Sequence, residues 1–143
     1  MKSYVNSINI QSILDDLWGA TILETHIDLL NDNIKFTLQV IDNGVIKDYK
    51  LVLIEVSSFY YIKDDEKRRF AFYDREKVDY LELTTIYYED PNLSEVKLSL
   101  QNEKEWSSKY STGVNIIIEI WDSILLVEAK QFSLNGKVIN LKM

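Results

Sequence analysis

Apolar and polar residues change period once along this chain. From residue 10 to residue 17, Ile10, Ile13, Leu14 and Leu17 recur at helical spacing, with Asp15 and Asp16 on the other face. Ser7 or Asn9 can cap this helix and Gly19 can end it. Its apolar stripe is short, so the helix needs a second layer to be stable. After Gly19 the period becomes two. Leu23, Thr25, Ile27 and Leu29 take one side, while Glu24, His26 and Asp28 take the other. A turn at Asn31-Asp32-Asn33 follows. Then Ile34, Phe36, Leu38 and Val40 alternate with Lys35, Thr37 and Gln39, the pattern of strands with one wet face. Asn43-Gly44 is a strong hairpin signal. The next strand, about Val45 to Tyr61, becomes apolar on both faces at Leu51 to Ile54. That predicts a strand through the centre of the sheet, bent near Ser57-Ser58.

Further strands are predicted at Arg69–Tyr73, Val78–Tyr88, Glu95–Leu100, Val114–Asp122 and Ile124–Phe132. Asp90-Pro91-Asn92 marks a loop, and Asn135-Gly136 a hairpin turn before a short strand at Lys137–Leu141. No linker, low-complexity tract or repeat interrupts the pattern, so residues 1–143 read as a single domain. The expected fold is α+β, mainly β: an N-terminal helix packed on a curled, mostly antiparallel meander sheet of about eight or nine strands. Whether the sheet closes is left open by the pattern.

Composition narrows the function. Hydrophobic residues make up 46% of the chain and charged residues 27%, as in a globular protein. With no cysteine, neither a disulfide nor a thiolate site is available. The N-terminal stretch lacks a continuous apolar segment and no apolar run is long enough to span a bilayer, so a cytoplasmic protein without membrane contact is expected. The net charge of −7 disfavours nucleic acid and favours basic partners. The excess is concentrated: residues 74–105 hold nine acids against four bases.

Catalytic groups are sparse. His26 is the only histidine, and with Glu24 and Asp28 it would form a row along one strand rather than a coordination sphere. Paired carboxylates such as Asp15/Asp16 lie in turns or on a helix, where solvent keeps them ordinary acids. No glycine-rich phosphate loop or nucleophile motif occurs. No catalytic residue, metal ligand or cofactor is expected. Seven charged residues run unbroken from Lys63 to Arg69 between strand-like segments, which reads first as a solvated hairpin tip. Rigid strands on either side would also let such a loop recognise a partner. The residues expected to meet a partner are Tyr60, Asp64, Asp65, Glu66, Tyr87, Glu89, Asp90, Glu103, Glu105 and Trp106. Exposed tyrosines beside acids suit protein binding, because the rings give area at little entropic cost. Reversing Asp64, Asp65 and Glu66 to lysine is expected to leave folding intact and slow association. Of Tyr60 and Tyr61, and of Tyr87 and Tyr88, one ring each is expected in the core. Trp106 fits either a patch or the core, and Trp121 reads as structural.

Two segments carry a family likeness: LWGATILETHIDLLNDNIKFTLQVIDNG near the start and NIIIEIWDSILLVEAKQFSLNG near the end. A strand opening on a small residue and isoleucine (Ala20-Thr21-Ile22) and a run from Trp121 into Glu128-Ala129 resemble the small YxiG-like bacterial proteins. They are also similar to immunity proteins of polymorphic toxin systems. The resemblance implies a non-enzymatic protein that occludes a basic toxin domain. A small-ligand or carbohydrate-binding β module using Tyr60, Tyr87 and Trp106 is the alternative, and the oligomeric state is open.

Overall fold

A computed structural model of the chain describes residues 7–72, 77, 80–89 and 94–141. Helix α1 (Ser7–Asp15) leads through a turn into strands β1 (Ala20–Asp28), β2 (Asn33–Asp42) and β3 (Val45–Ile62), an antiparallel meander. Strands β4 (Leu81–Tyr88) and β5 (Ser94–Val96), helix α2 (Lys104–Ser108) and strands β6 (Thr112–Val114), β7 (Ile116–Ile120), β8 (Ser123–Leu134) and β9 (Lys137–Asn140) follow. The fold is mainly β with an N-terminal helix on a curled antiparallel sheet, as the periodicity predicts. Asn43-Gly44 and Asn135-Gly136 both form the expected turns, with positive φ at all four residues.

The sheet closes on itself. Its strand order is β3-β2-β1-β4-β7-β8, and β8 pairs back onto β3 from Leu51↔Leu134 to Ile62↔Ile124. Six strands thus form a ring, with β9 added to the second edge of β8 beside β7. The chain leaves the meander after β3 and returns on the far side of β1, where β4 pairs. Closure demands curvature, and β3 supplies it. Its register shifts between Val56 and Ser58, and Glu55 adopts φ 53°. An extra residue of this kind bends a strand and increases its twist. The predicted bend near Ser57-Ser58 lies at this bulge.

The β1–β4 seam is short: Ala20↔Leu83, Thr21↔Glu82 and Ile22↔Leu81. Beyond it α1 lies along β4 in place of a strand. Gln11 Nε2 donates to the Ile86 carbonyl at 2.8 Å, and Gln11 Oε1 accepts the Tyr88 N–H at 2.8 Å. One side-chain amide therefore satisfies a strand edge that would otherwise be open. The apolar face of the helix explains the rest of the docking. Ile10, Leu14 and Leu17 are buried in one core cluster with Phe36, Leu38 and Phe132. Where β7 begins, Asn115 plays a similar part. Its Nδ2 donates to the Ala129 carbonyl at 2.7 Å, and its Oδ1 accepts the Ala129 N–H at 3.0 Å.

Three expectations change. Residues 69–72, the described part of the predicted Arg69–Tyr73 strand, are a turn and irregular chain. Phe70 and Phe72 there pack edge to face, 6.5 Å apart, and stay largely in solvent. Strand propensity needs a pairing edge, and β8 has already taken the free edge of β3. The Glu95–Leu100 strand shrinks to β5, and α2 was not anticipated. Tyr73, Val78 and the Asp90-Pro91-Asn92 loop lie outside the described residues. No helix among the described residues is long and apolar enough to cross a membrane.

Candidate partner-binding surface

The residues singled out from the sequence separate into three places. Tyr60 and Tyr87 share one outer row of the barrel wall. Their register runs Tyr87↔Ile117, Ile117↔Leu126 and Leu126↔Tyr60, and directly opposed residues point the same way. With strands spaced about 4.8 Å, the two tyrosines stand roughly 14 Å apart across four strands. Tyr88 is in the core, as expected, but Tyr61 is exposed like Tyr60. Tyr61 lies one residue from the end of β3, at the rim of the wall, so the inward side there is open to water.

In the charged loop Asp65 to Arg68 are exposed, as expected of a solvated tip, but Asp64 is not. Asp64 is only 7% exposed. Its N–H donates to Ser123 Oγ at 3.0 Å, and its Oδ1 accepts the Asp65 N–H at 2.9 Å. Asp65 Oδ1 accepts the N–H groups of Lys67 and Arg68, at 3.0 and 3.1 Å. These two aspartates build the turn, a use of short acidic side chains that competes with any contact to a partner. Glu66 alone among the three projects freely into solvent. Reversing all three charges would remove these acceptors from the turn, so a loss of local stability is the expected outcome. Glu89 accepts a hydrogen bond from Ser94 Oγ at 2.6 Å. Glu103 holds the N-cap position of α2 without a side-chain capping bond, Glu105 lies in its first turn, and both are exposed. Trp106 packs on Tyr110 with ring centres 5.0 Å apart, half exposed rather than in the core. Asp90 lies outside the described residues. Tyr60 and Tyr87 stand on the barrel wall, and Trp106 stands on α2.

A concave acidic surface lies elsewhere, at residues the sequence reading does not name as a site. A cleft of about 560 Å³ opens where the turn after α1 meets the β2–β3 hairpin and the start of β4. Asp15, Asp16, Asp42 and Glu82 line it, with Lys47 as its one cation among the described residues. Lys47 is already paired with Asp42, at 3.4 Å. Trp18 stands on the rim, 69% exposed, although it directly follows a fully buried leucine. The turn that aims it ends at Gly19, at φ 71°, a conformation that side chains with a Cβ adopt only under strain. Glu82 is fixed from behind: its Oε2 accepts a hydrogen bond from Trp121 Nε1 at 3.1 Å. Trp121 is itself held at φ 52° in the β7–β8 turn, with its N–H shared between the Glu82 carbonyl and Thr84 Oγ1, each at 3.2 Å. Like charges gathered over a low-dielectric wall focus potential and draw in cations. The available signal in the sequence was Asp15-Asp16 followed by Trp18-Gly19. A tryptophan next to a helix-ending glycine falls outside the apolar stripe and must be placed by the turn.

His26 is exposed and registers with Lys35, in a shallow hollow shared with Glu24 and Lys50. Among the described residues, no group of three His, Asp or Glu side chains could hold a metal ion.

Among curated proteins, none matches the chain. The family described as YxiG-like protein matches residues 10–139, which run from the first buried residue of α1 into β9 and take in the whole barrel. The chain belongs to the YxiG-like family.

Proposed function

We propose that this protein is a non-catalytic binding protein that seats a basic protein partner on the cleft beside Trp18. The observation that carries the reading is the pairing of an exposed tryptophan with four carboxylates against one lysine among the described residues of the cleft. Exposed tryptophan is a frequent anchor of protein interfaces, and the acids would steer a cationic surface towards it. The net charge of −7 acts in the same direction at long range. In its strongest form, the proposal is an immunity-type protein that blocks a basic toxin domain by occupying its surface.

The test is capture of a basic, stoichiometric partner from the native cell, followed by binding kinetics with two variants. Trp18→Ala is expected to weaken binding about 30-fold, as for a hot-spot residue worth about 2 kcal/mol. Asp16→Lys with Asp42→Lys is expected to slow association about tenfold at low salt, with the loss shrinking as salt rises. Both variants should melt as the wild type does. A partner that binds both at the wild-type rate and affinity would remove the cleft from the interface.

A further inference from the structure

At the opposite end of β2 from that cleft, several irregularities of the backbone and side chains converge. The β1–β2 turn carries Asp32 at φ 54°, and β3 carries Glu55 at φ 53° beside its bulge. Left-handed conformations at residues other than glycine cost free energy and tend to gather at functional places. The Val56 N–H donates to the Asp32 carbonyl at 2.8 Å, tying the two together. Between them lies a cavity of about 320 Å³, near the lower end of volumes that hold small ligands, typically about 300–1,000 Å³.

Its walls are apolar: Ile27, Ile34, Val56 and Phe59 are on the inward side, with Leu29 at the lip. Ile34 is buried in the core, but Leu29 is 74% exposed and Phe59 39%. Three polar features remain. Asn33 Oδ1 is buried and accepts no hydrogen bond among the described residues. Leaving such an acceptor unsatisfied costs about 1–3 kcal/mol, so a donor that reaches it is favoured. Asp28 and Asp32 are among its lining residues, and no lysine, arginine or histidine is among those described. The serines are already engaged: Ser57 Oγ donates to Glu128 Oε1 at 2.6 Å, and Ser58 Oγ lies 2.6 Å from Thr112 Oγ1. Asp28 is held ionised by hydrogen bonds from the Asn31 side chain and from the Asn31 and Leu30 N–H groups.

We infer that this barrel-end cavity binds a small primary amine with an apolar body of about one ring. The body would lie on Ile27, Val56 and Phe59. The ammonium would meet the Asp32 carboxylate and, after a rotation of the Asn33 amide, its Oδ1. Charge-assisted bonds from an ammonium are the stronger kind of hydrogen bond, and two aspartates with no cation among the described lining residues favour them. The site shares no residue with the acidic cleft, so it stands or falls independently of the protein-binding reading.

The experiment titrates the full chain with 2-phenylethylamine, 2-phenylethanol and phenylacetate, followed by backbone amide chemical shifts. The three probes carry the same ring with positive, neutral and negative ends. The amine is expected to bind most tightly, at about millimolar affinity for so small a molecule, with shifts centred on Ile27, Asn33, Val56 and Phe59. Asp32→Asn keeps a residue that tolerates a positive φ and should weaken the amine about two- to fivefold while leaving the alcohol unchanged. Ile27→Trp, at a half-exposed position, should fill the cavity and abolish the shifts while the rest of the spectrum stays native. Equal binding of amine and phenylacetate would overturn the assignment. So would shifts located elsewhere, undiminished binding by Ile27→Trp, or no saturable shift with the amine.

Discussion

The Gln11 contact ties helix, barrel seam and cleft together, and its removal gives a number. Gln11→Ala deletes both hydrogen bonds to β4, at 2.8 Å each, together with a third from Nε2 to Asp15 Oδ1, also 2.8 Å. The last is exposed and contributes little. Each of the other two is worth about 0.5–1.5 kcal/mol if water replaces the amide, and about 1–3 kcal/mol if the β4 groups are left dry. The contact is half-buried, so a total near 2–3 kcal/mol is expected. In a chain of this length, 1 kcal/mol lowers Tm by roughly 2–4 °C, so the melt should drop by roughly 4–12 °C. Gln11→Glu sharpens the test. Its carboxylate still accepts the Tyr88 N–H but faces the Ile86 carbonyl without a donor, so it should be no more stable than the alanine variant at neutral pH. Urea unfolding followed by far-ultraviolet circular dichroism gives the free energies, and amide exchange at Ile86 and Tyr88 reports the seam directly. A Gln11→Ala protein within about 0.5 kcal/mol of wild type, with protection at Tyr88 unchanged, would show that apolar burial of Ile10, Leu14 and Leu17 alone docks the helix.

Asn115→Ala should cost more, about 2–5 kcal/mol in urea unfolding, because the donor and acceptor of Ala129 are both buried and lose their partner. Acidification should act through the β1–β2 turn. The Asp28 carboxyl lies below its usual 3.8, first because the Asn31 side chain donates to it, so its contribution is present above that value and is lost as pH falls below it. Asp28→Asn should therefore flatten the acid limb of a Tm-against-pH curve, and an unchanged limb would show that the turn is not coupled to the carboxylate.

Local chemistry made much of the barrel legible. Period-two alternation found β1, β2 and the long β3, and Asn-Gly pairs fixed two hairpins because few residues tolerate positive φ in succession. Tyr87 and Tyr88 were assigned to opposite faces by alternation alone. In the loop from Lys63 to Arg69, exposure of Asp65 to Arg68 was legible in the charges, but the burial of Asp64 was not. A run of charges looks solvated in sequence, yet Asp64 and Asp65 are consumed by backbone N–H groups whose positions depend on how the turn folds back on Ser123.

The alternation of side chains and the turn residues, both properties of neighbours along the chain, determined the first helix, the long strands and two hairpins, although Leu23 and Ile27 on the predicted apolar face of β1 stay exposed. Ring closure, a property of residues far apart, could be decided only by tertiary structure. The pairing of β4 with β1 and of β8 with β3 sets Glu82 beside Gly19 and Trp18 at the cleft. The closing bend of β3 opens the cavity at the other end of β2. No local pattern encodes which strand edge meets which. That choice follows from burying one shared core, and both candidate sites are products of it.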